Sequence, residues 1–111
     1  MANTFKRFTE REIGNTLTQI DSYAVASSTK ATVIGLTCSN TSGDAVDVDV
    51  TLNDGTNDFY IVKNCPLPSG STVVLVGGDQ KVVMEPLDLI KVRSSSATNK
   101  VDVIMSLLEI T

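Results

Sequence analysis

The stretch Val46-Asp47-Val48-Asp49-Val50-Thr51-Leu52, then Asn53-Asp54-Gly55-Thr56-Asn57-Asp58, then Phe59-Tyr60-Ile61-Val62 decides the fold class. Its first seven residues alternate apolar and polar side chains. Even positions share one apolar face and odd positions a polar face, which is the pattern of a half-buried β-strand. The six residues that follow are almost all turn formers, and Asp54-Gly55 is a strong hairpin signal because both residue types tolerate positive φ. The last four read as the return strand. The turn superficially resembles a calcium loop, but it lacks the closing glutamate and is flanked by strands instead of helices.

Outward from this hairpin the same logic repeats. Residues 16–26 are rich in β-branched and aromatic side chains and end at Ser27-Ser28-Thr29-Lys30. Residues 31–38 put Ile34, Leu36 and Cys38 on one face, and Asn40-Thr41-Ser42-Gly43-Asp44 ends them. Cys65-Pro66-Leu67-Pro68-Ser69-Gly70 predicts an extended corner, because two prolines cannot donate to a ladder. Residues 72–76 are nearly all apolar and suit a strand buried on both faces. Gly77-Gly78-Asp79-Gln80 turns the chain into residues 81–84, Glu85-Pro86-Leu87-Asp88 interrupts, and residues 89–93 resume. Residues 94–99 are polar and turn-like. Residues 101–110 close the domain with Val101, Val103, Met105 and Leu107 on one face. The apolar Leu108 and Ile110 then suggest a slip of phase through a bulge, or burial of both faces. Seven to nine short strands with a turn every eight to twelve residues predict an all-β antiparallel sandwich, jelly-roll-like, with an extended N-terminal arm.

The chain has 111 residues, 13 acids, nine bases and no histidine, for a net charge of −4. That length suits one domain with its own core. Without histidine there is no Ser-His-Asp or Cys-His pair and no histidine-containing metal site. Asp44, Asp47 and Asp49 cluster, but Asp47 and Asp49 alternate with valines and read as a solvated face that discourages edge pairing. Gly70 and Gly77-Gly78 make no phosphate loop. These features predict a non-enzymatic chain with no cofactor and no metal. No run of 18 apolar residues exists and the N-terminus carries no signal-peptide pattern, so no membrane partner is expected. Cys38 and Cys65 lie 27 positions apart, each at the end of an apolar run. They read as reduced and structural, and the sequence leaves open whether they meet.

Positive charge concentrates at the start, where Lys6, Arg7 and Arg11 face Glu10 and Glu12. Phe5, Phe8 and Ile13 offer the face of one short helix, but so short a helix is costly to nucleate. An extended arm, docked on the domain or on a neighbour, is the preferred reading. Residues 1–15 are therefore assigned to an arm or short helix and residues 16–111 to a single β-sandwich domain. Phenylalanines beside bases suit an acidic, apolar groove of a neighbouring protein better than nucleic acid, given the acidic body. Phe5, Lys6, Arg7, Phe8 and Arg11 are the candidate intersubunit contacts, and the terminal strand is a second candidate because it can extend a neighbour's sheet. Deleting residues 2–12 is expected to leave the fold intact.

Several segments resemble small virion structural proteins of tailed bacteriophages, most of all contractile-tailed phages of marine bacteria and cyanobacteria. They are residues 46–62 with Lys63-Asn64, residues 66–78, Lys81-Val82-Val83-Met84-Glu85-Pro86-Leu87-Asp88, and Val101-Asp102-Val103-Ile104-Met105-Ser106-Leu107-Leu108-Glu109-Ile110. Phe5-Lys6-Arg7-Phe8-Thr9 and Ile13-Gly14-Asn15-Thr16 resemble their N-termini. Pro86-Leu87-Asp88 departs from the pattern, which would place a glycine-containing turn there, and the two cysteines are not features of it. The resemblance implies a structural component of the virion, assembled in the host cytoplasm in several copies as a homo-oligomer with other virion proteins. It implies a station at the neck, collar or tail surface. The alternatives are a decoration protein on the head exterior and a carbohydrate- or receptor-binding module.

Overall fold

A computed structural model of the chain describes residues 2–98 and 100–111. In chain order the strands are β1 (Asn3–Ile13), β2 (Thr18–Gln19), β3 (Lys30–Asn40), β4 (Val46–Asn53), β5 (Asp58–Leu67), β6 (Thr72–Val76), β7 (Val82–Met84), β8 (Leu89–Ser94) and β9 (Val101–Ile110), with one short 3₁₀ turn at Ile20–Ser22. One sheet runs β1-β9-β3-β6, with β7 also on β3. The other runs β2-β8-β4-β5. Every pairing is antiparallel. The chain is thus an antiparallel β-sandwich, as its alternation predicts.

Alternation builds the core directly. Val33, Leu36, Met105 and Leu107 of the first sheet and Val48, Val50, Ile90 and Val92 of the second are essentially without solvent exposure. The β4–β5 hairpin closes as expected. Asp54 Oδ1 accepts the backbone N–H groups of Thr56 (3.0 Å) and Asn57 (2.8 Å), and Gly55 takes φ +97°. These N–H donors, Asn57 first, hold the Asp54 carboxyl below the usual range. Pro66 is tolerated within β5 because β5 is an edge strand.

Five expectations are corrected. Residues 16–26 give only the two-residue β2 and the 3₁₀ turn before an irregular crossing. On β3 the register shifts between Val33 and Gly35, so Leu36 and Cys38 point inward while Ile34 stays on the outer side. β6 is not buried on both faces: it pairs only with β3 and leaves Val74 exposed. β9 keeps strict alternation to its end, with no slip of phase, because the inward position after Leu107 is filled by Glu109. Asp47 is solvated as expected, but Asp49 is buried beneath Arg93 and accepts the Asn64 N–H at 2.7 Å.

The N-terminal segment is extended, not helical, and pairs along its length with β9 from Asn3–Ile110 to Ile13–Val101. Beyond Asn3 and Ile110 the ladder continues to Ala2 and Thr111, which exchange backbone hydrogen bonds at 3.3 and 3.0 Å. Deleting residues 2–12 therefore removes an edge strand and uncovers β9, so point substitution is the appropriate probe of this region.

One residue organises the corner where the two sheets meet. Asn40 is buried at the end of β3. Its Nδ2 donates to the carbonyls of Asp44 (2.8 Å) and Leu67 (3.1 Å), and its Oδ1 accepts from the Ser42 N–H (2.9 Å) and hydroxyl (2.6 Å). Water can replace it at Ser42 but not at the buried Leu67 carbonyl. Asn40→Ala is expected to cost about 2–3 kcal/mol in urea unfolding, and a loss below about 1 kcal/mol would remove it as the corner's anchor.

Candidate assembly surface

The charged side chains that share a groove, Glu10, Arg11, Asp21 and Asp102, mix both signs. Among the described residues no group of three or more Cys, Asp or Glu side chains is placed to hold a metal ion. What the fold does build is a surface. The outer side of the β1-β9-β3 sheet carries two apolar rows that cross the strands. In the first, Phe5 stands opposite Leu108, Leu108 opposite Thr32, and Thr32 opposite Val83. In the second, Thr9 stands opposite Ile104, Ile104 opposite Thr37, and Thr37 opposite Val74. Phe5 is 75% exposed, Val74 64%, Val83 63% and Ile104 51%. Single exposed apolar side chains are ordinary, but four on one sheet face in register form an apolar patch.

Between the rows lie Arg7, Ser106 and Gly35, each opposite the next. A side chain at Gly35 would meet nothing within 4 Å, so the middle of the face is recessed. Phe5, Arg7, Ile34 and Ser106 help line a shallow pocket there of about 340 Å³. The β3 bulge is what turns Ile34 outward into this recess.

The five candidate contact residues divide by the alternation of β1. Phe5 and Arg7 point outward onto the apolar face. Arg11 is exposed near the bulged end of the strand, beside Asp21 and Asp102 in a shallow groove. Lys6 and Phe8 point the other way and have partners within the domain. Lys6 Nζ lies 3.0 Å from Glu109 Oε1, and Phe8 stacks on Tyr23 with ring centroids 4.1 Å apart. Tyr23 donates its hydroxyl to Glu109 Oε2 at 2.6 Å. Thus Glu109 is an inward acid held by a base from β1 and a phenol from the crossing that follows β2. Sequence reasoning shows neither contact of Glu109, because both join positions 86 or more residues apart.

The Tyr23 hydroxyl, then Lys6, hold the Glu109 carboxyl below its usual range despite its burial, and burial with the Glu109 contact pushes the Tyr23 hydroxyl up. For Asp49, burial raises the carboxyl, but the Asn64 N–H and Arg93 together outweigh it and the net shift is downward. Each acid therefore contributes stability above its unfolded value, about 4.3 for Glu and 3.9 for Asp, and loses it as pH falls through the lower folded value. Thermal melts are expected to show a falling Tm from pH 5 to pH 3, with a shallower fall in Glu109→Gln. An unchanged slope in that variant would remove Glu109 from the acid transition.

Phe59 and Tyr60 are the other exposed aromatics, at the start of β5, with Lys63 Nζ 4.8 Å from the Tyr60 ring centroid. As consecutive strand residues they point to opposite faces and form no common platform.

No protein-family model matches the sequence, and no curated protein matches it. Two solved structures share the fold over nearly the whole chain. One is a subunit of the Bacillus endospore appendages, described as a family of disulfide-linked pili. It is 12% identical, with a TM-score of 0.57, over 99% of this chain and 87% of the other. The other belongs to the acid-stable capsid of Helicobacter pylori bacteriophage KHP30. It is 12% identical, with a TM-score of 0.61, over 100% of this chain and 94% of the other. At that identity the likeness is one of fold: this chain is a β-sandwich of the kind that both of those assemblies contain.

Proposed function

We propose that this chain is a non-enzymatic structural subunit of a bacteriophage virion, present in several copies and built in through the outer face of the β1-β9-β3 sheet. The observation that carries the reading is that face: two apolar rows left in solvent on an acidic domain. Phe5 and Arg7 make intersubunit contacts from the face itself, and Arg11 from its edge. The apolar side chains supply the area removed from water, at about 25 cal/mol per Å² before association costs. The arginines pair with acids of a neighbour and set register more than affinity. Lys6 and Phe8 act one step back, fastening β1 so that Phe5 and Arg7 are presented. The neighbours are other virion proteins or further copies of the chain, joined in the host cytoplasm.

Two stations suit such a unit, the neck or tail surface and the head exterior. The resemblance to contractile-tailed phage proteins supports the first, and the full-length likeness to the KHP30 capsid chain supports the second. Quantitative mass spectrometry of gradient-purified particles, with heads and tails separated, tests the reading. The expected result is several copies per particle confined to one fraction. A chain left wholly in the soluble lysate and absent from particles overturns it.

A further inference from the structure

The corner held by Asn40 also brings the two cysteines to one level of the sandwich. The Asn40 side chain donates across the sheets to the Leu67 carbonyl at 3.1 Å, so the ends of β3 and β5 lie within one side-chain length. Both strands arrive at that corner. Stepping back one pleat repeat on each, two residues and about 6.6 Å, reaches Cys38 on β3 and Cys65 on β5. Cys38 is fully buried on the inner face of its sheet. Cys65 stands opposite Val48, which has no solvent exposure, and shares the inward phase of Leu67 two residues on. Both thiols therefore point into the same gap near its open edge. Sheets packed face to face lie about 10 Å apart, wider than a disulfide spans, but at this corner a single asparagine side chain reaches from one strand to the other. The two sulfurs also sense each other: burial, and after it the Cys65 sulfur, push the Cys38 thiol up to about 12.

Both cysteines are free thiols in this structure. We propose that Cys38 and Cys65 are an oxidative cross-linking site, closing to one intradomain disulfide that ties the two sheets together when the protein meets a small disulfide oxidant. With oxidised glutathione the chemistry balances in two exchanges. The half-buried Cys65, reachable from solvent, attacks as the thiolate, forming a Cys65–glutathione mixed disulfide and releasing one glutathione thiolate. Cys38 then loses its proton, attacks the Cys65 sulfur, and expels the second glutathione, which leaves as the thiol once protonated. The protein loses two electrons and two protons, and glutathione disulfide gains both. The second exchange is slow at neutral pH, because Cys38 is rarely a thiolate, and it accelerates with rising pH. The inference is independent of the virion reading. Together they describe a subunit assembled reduced in a cytoplasm and locked after release.

The test uses the purified full chain, incubated with oxidised glutathione at pH 8 and compared with a dithiothreitol-treated sample. Expected are loss of both titratable thiols, a mass decrease of about 2 Da, a Cys38–Cys65 peptide in a non-reducing digest, and a monomer on a non-reducing gel. Closing a loop of this length is expected to raise Tm by about 10 °C. Cys65→Ala, at the half-exposed position, controls for folding and is expected to show no Tm gain on oxidation. Two thiols that persist under oxidant overturn the proposal. So do a terminal mixed disulfide on Cys65 alone, covalent dimers in place of the internal bond, or a Tm that falls on oxidation.

Discussion

Leu36→Ala is expected to cost about 2–5 kcal/mol of stability, whereas Ile34→Ala, two residues away on the same strand, is expected to cost less than about 1 kcal/mol. In an unbroken strand the two side chains would share a face and behave alike. The bulge between Val33 and Gly35 separates them. Leu36 has no solvent exposure and stands between Val76 on one side and Met105 on the other, so its truncation leaves a cavity that the two flanking strands cannot collapse. Ile34 lies on the outer side, where lost methyl groups leave only a shallower recess. Domains of this size are stable by roughly 5–15 kcal/mol. The first substitution thus removes a large share of the total and lowers Tm by about 10 °C or more. Urea melts of both variants check the contrast, and equal losses would show that β3 carries no change of phase.

The second large effect falls on assembly. Phe5→Asp and Val83→Asp each place a carboxylate in an apolar row at the two ends of one cross-strand line. Both positions are solvated in the free domain, so each variant is expected to melt within a few degrees of the parent. Incorporation into particles, measured by mass spectrometry of gradient fractions, is expected to fall at least tenfold for either and below detection for the double variant. Burying an unpaired carboxylate against an apolar neighbour costs several kcal/mol, and about 1.4 kcal/mol is a factor of ten in an equilibrium constant. Asp47→Asn, in a different sheet, is the control expected to incorporate normally. Full incorporation of the double variant would move the contact surface elsewhere on the molecule.

The hairpin from Val46 to Val62 was legible because both of its signals are local: period two in one strand and a turn sequence that demands positive φ. The inward face of the last strand from Val101 to Leu107 is legible for the same reason, but its end is not: Leu108 and Ile110 suggest a slip of phase, whereas they stand on the outer side in unbroken alternation. The rest depends on neighbours distant in sequence. Four apolar residues from Val73 to Val76 look fully buried, yet they form a short edge strand, because burial is set by what lies beside a strand and not by its composition. Glu109 looks like a break in an apolar run until Lys6 and Tyr23 are placed against it. Asp49 looks solvated until the Asn64 N–H and Arg93 close over it. The basic, aromatic opening reads as an arm because nothing local shows that β9 offers it a free edge. Its alternation nonetheless already separated Phe5 and Arg7 from Lys6 and Phe8.

The pairing of β1 with β9 has a mechanical consequence. At the outer end of this ladder the two strand ends lie side by side, joined by the hydrogen bonds between Ala2 and Thr111. Tension drawn through those ends would peel the ladder open one rung at a time, the weakest geometry for a sheet, because the load never spreads over several bonds at once. The domain is therefore mechanically weakest when strung between those two points, and it would open from its β1 edge.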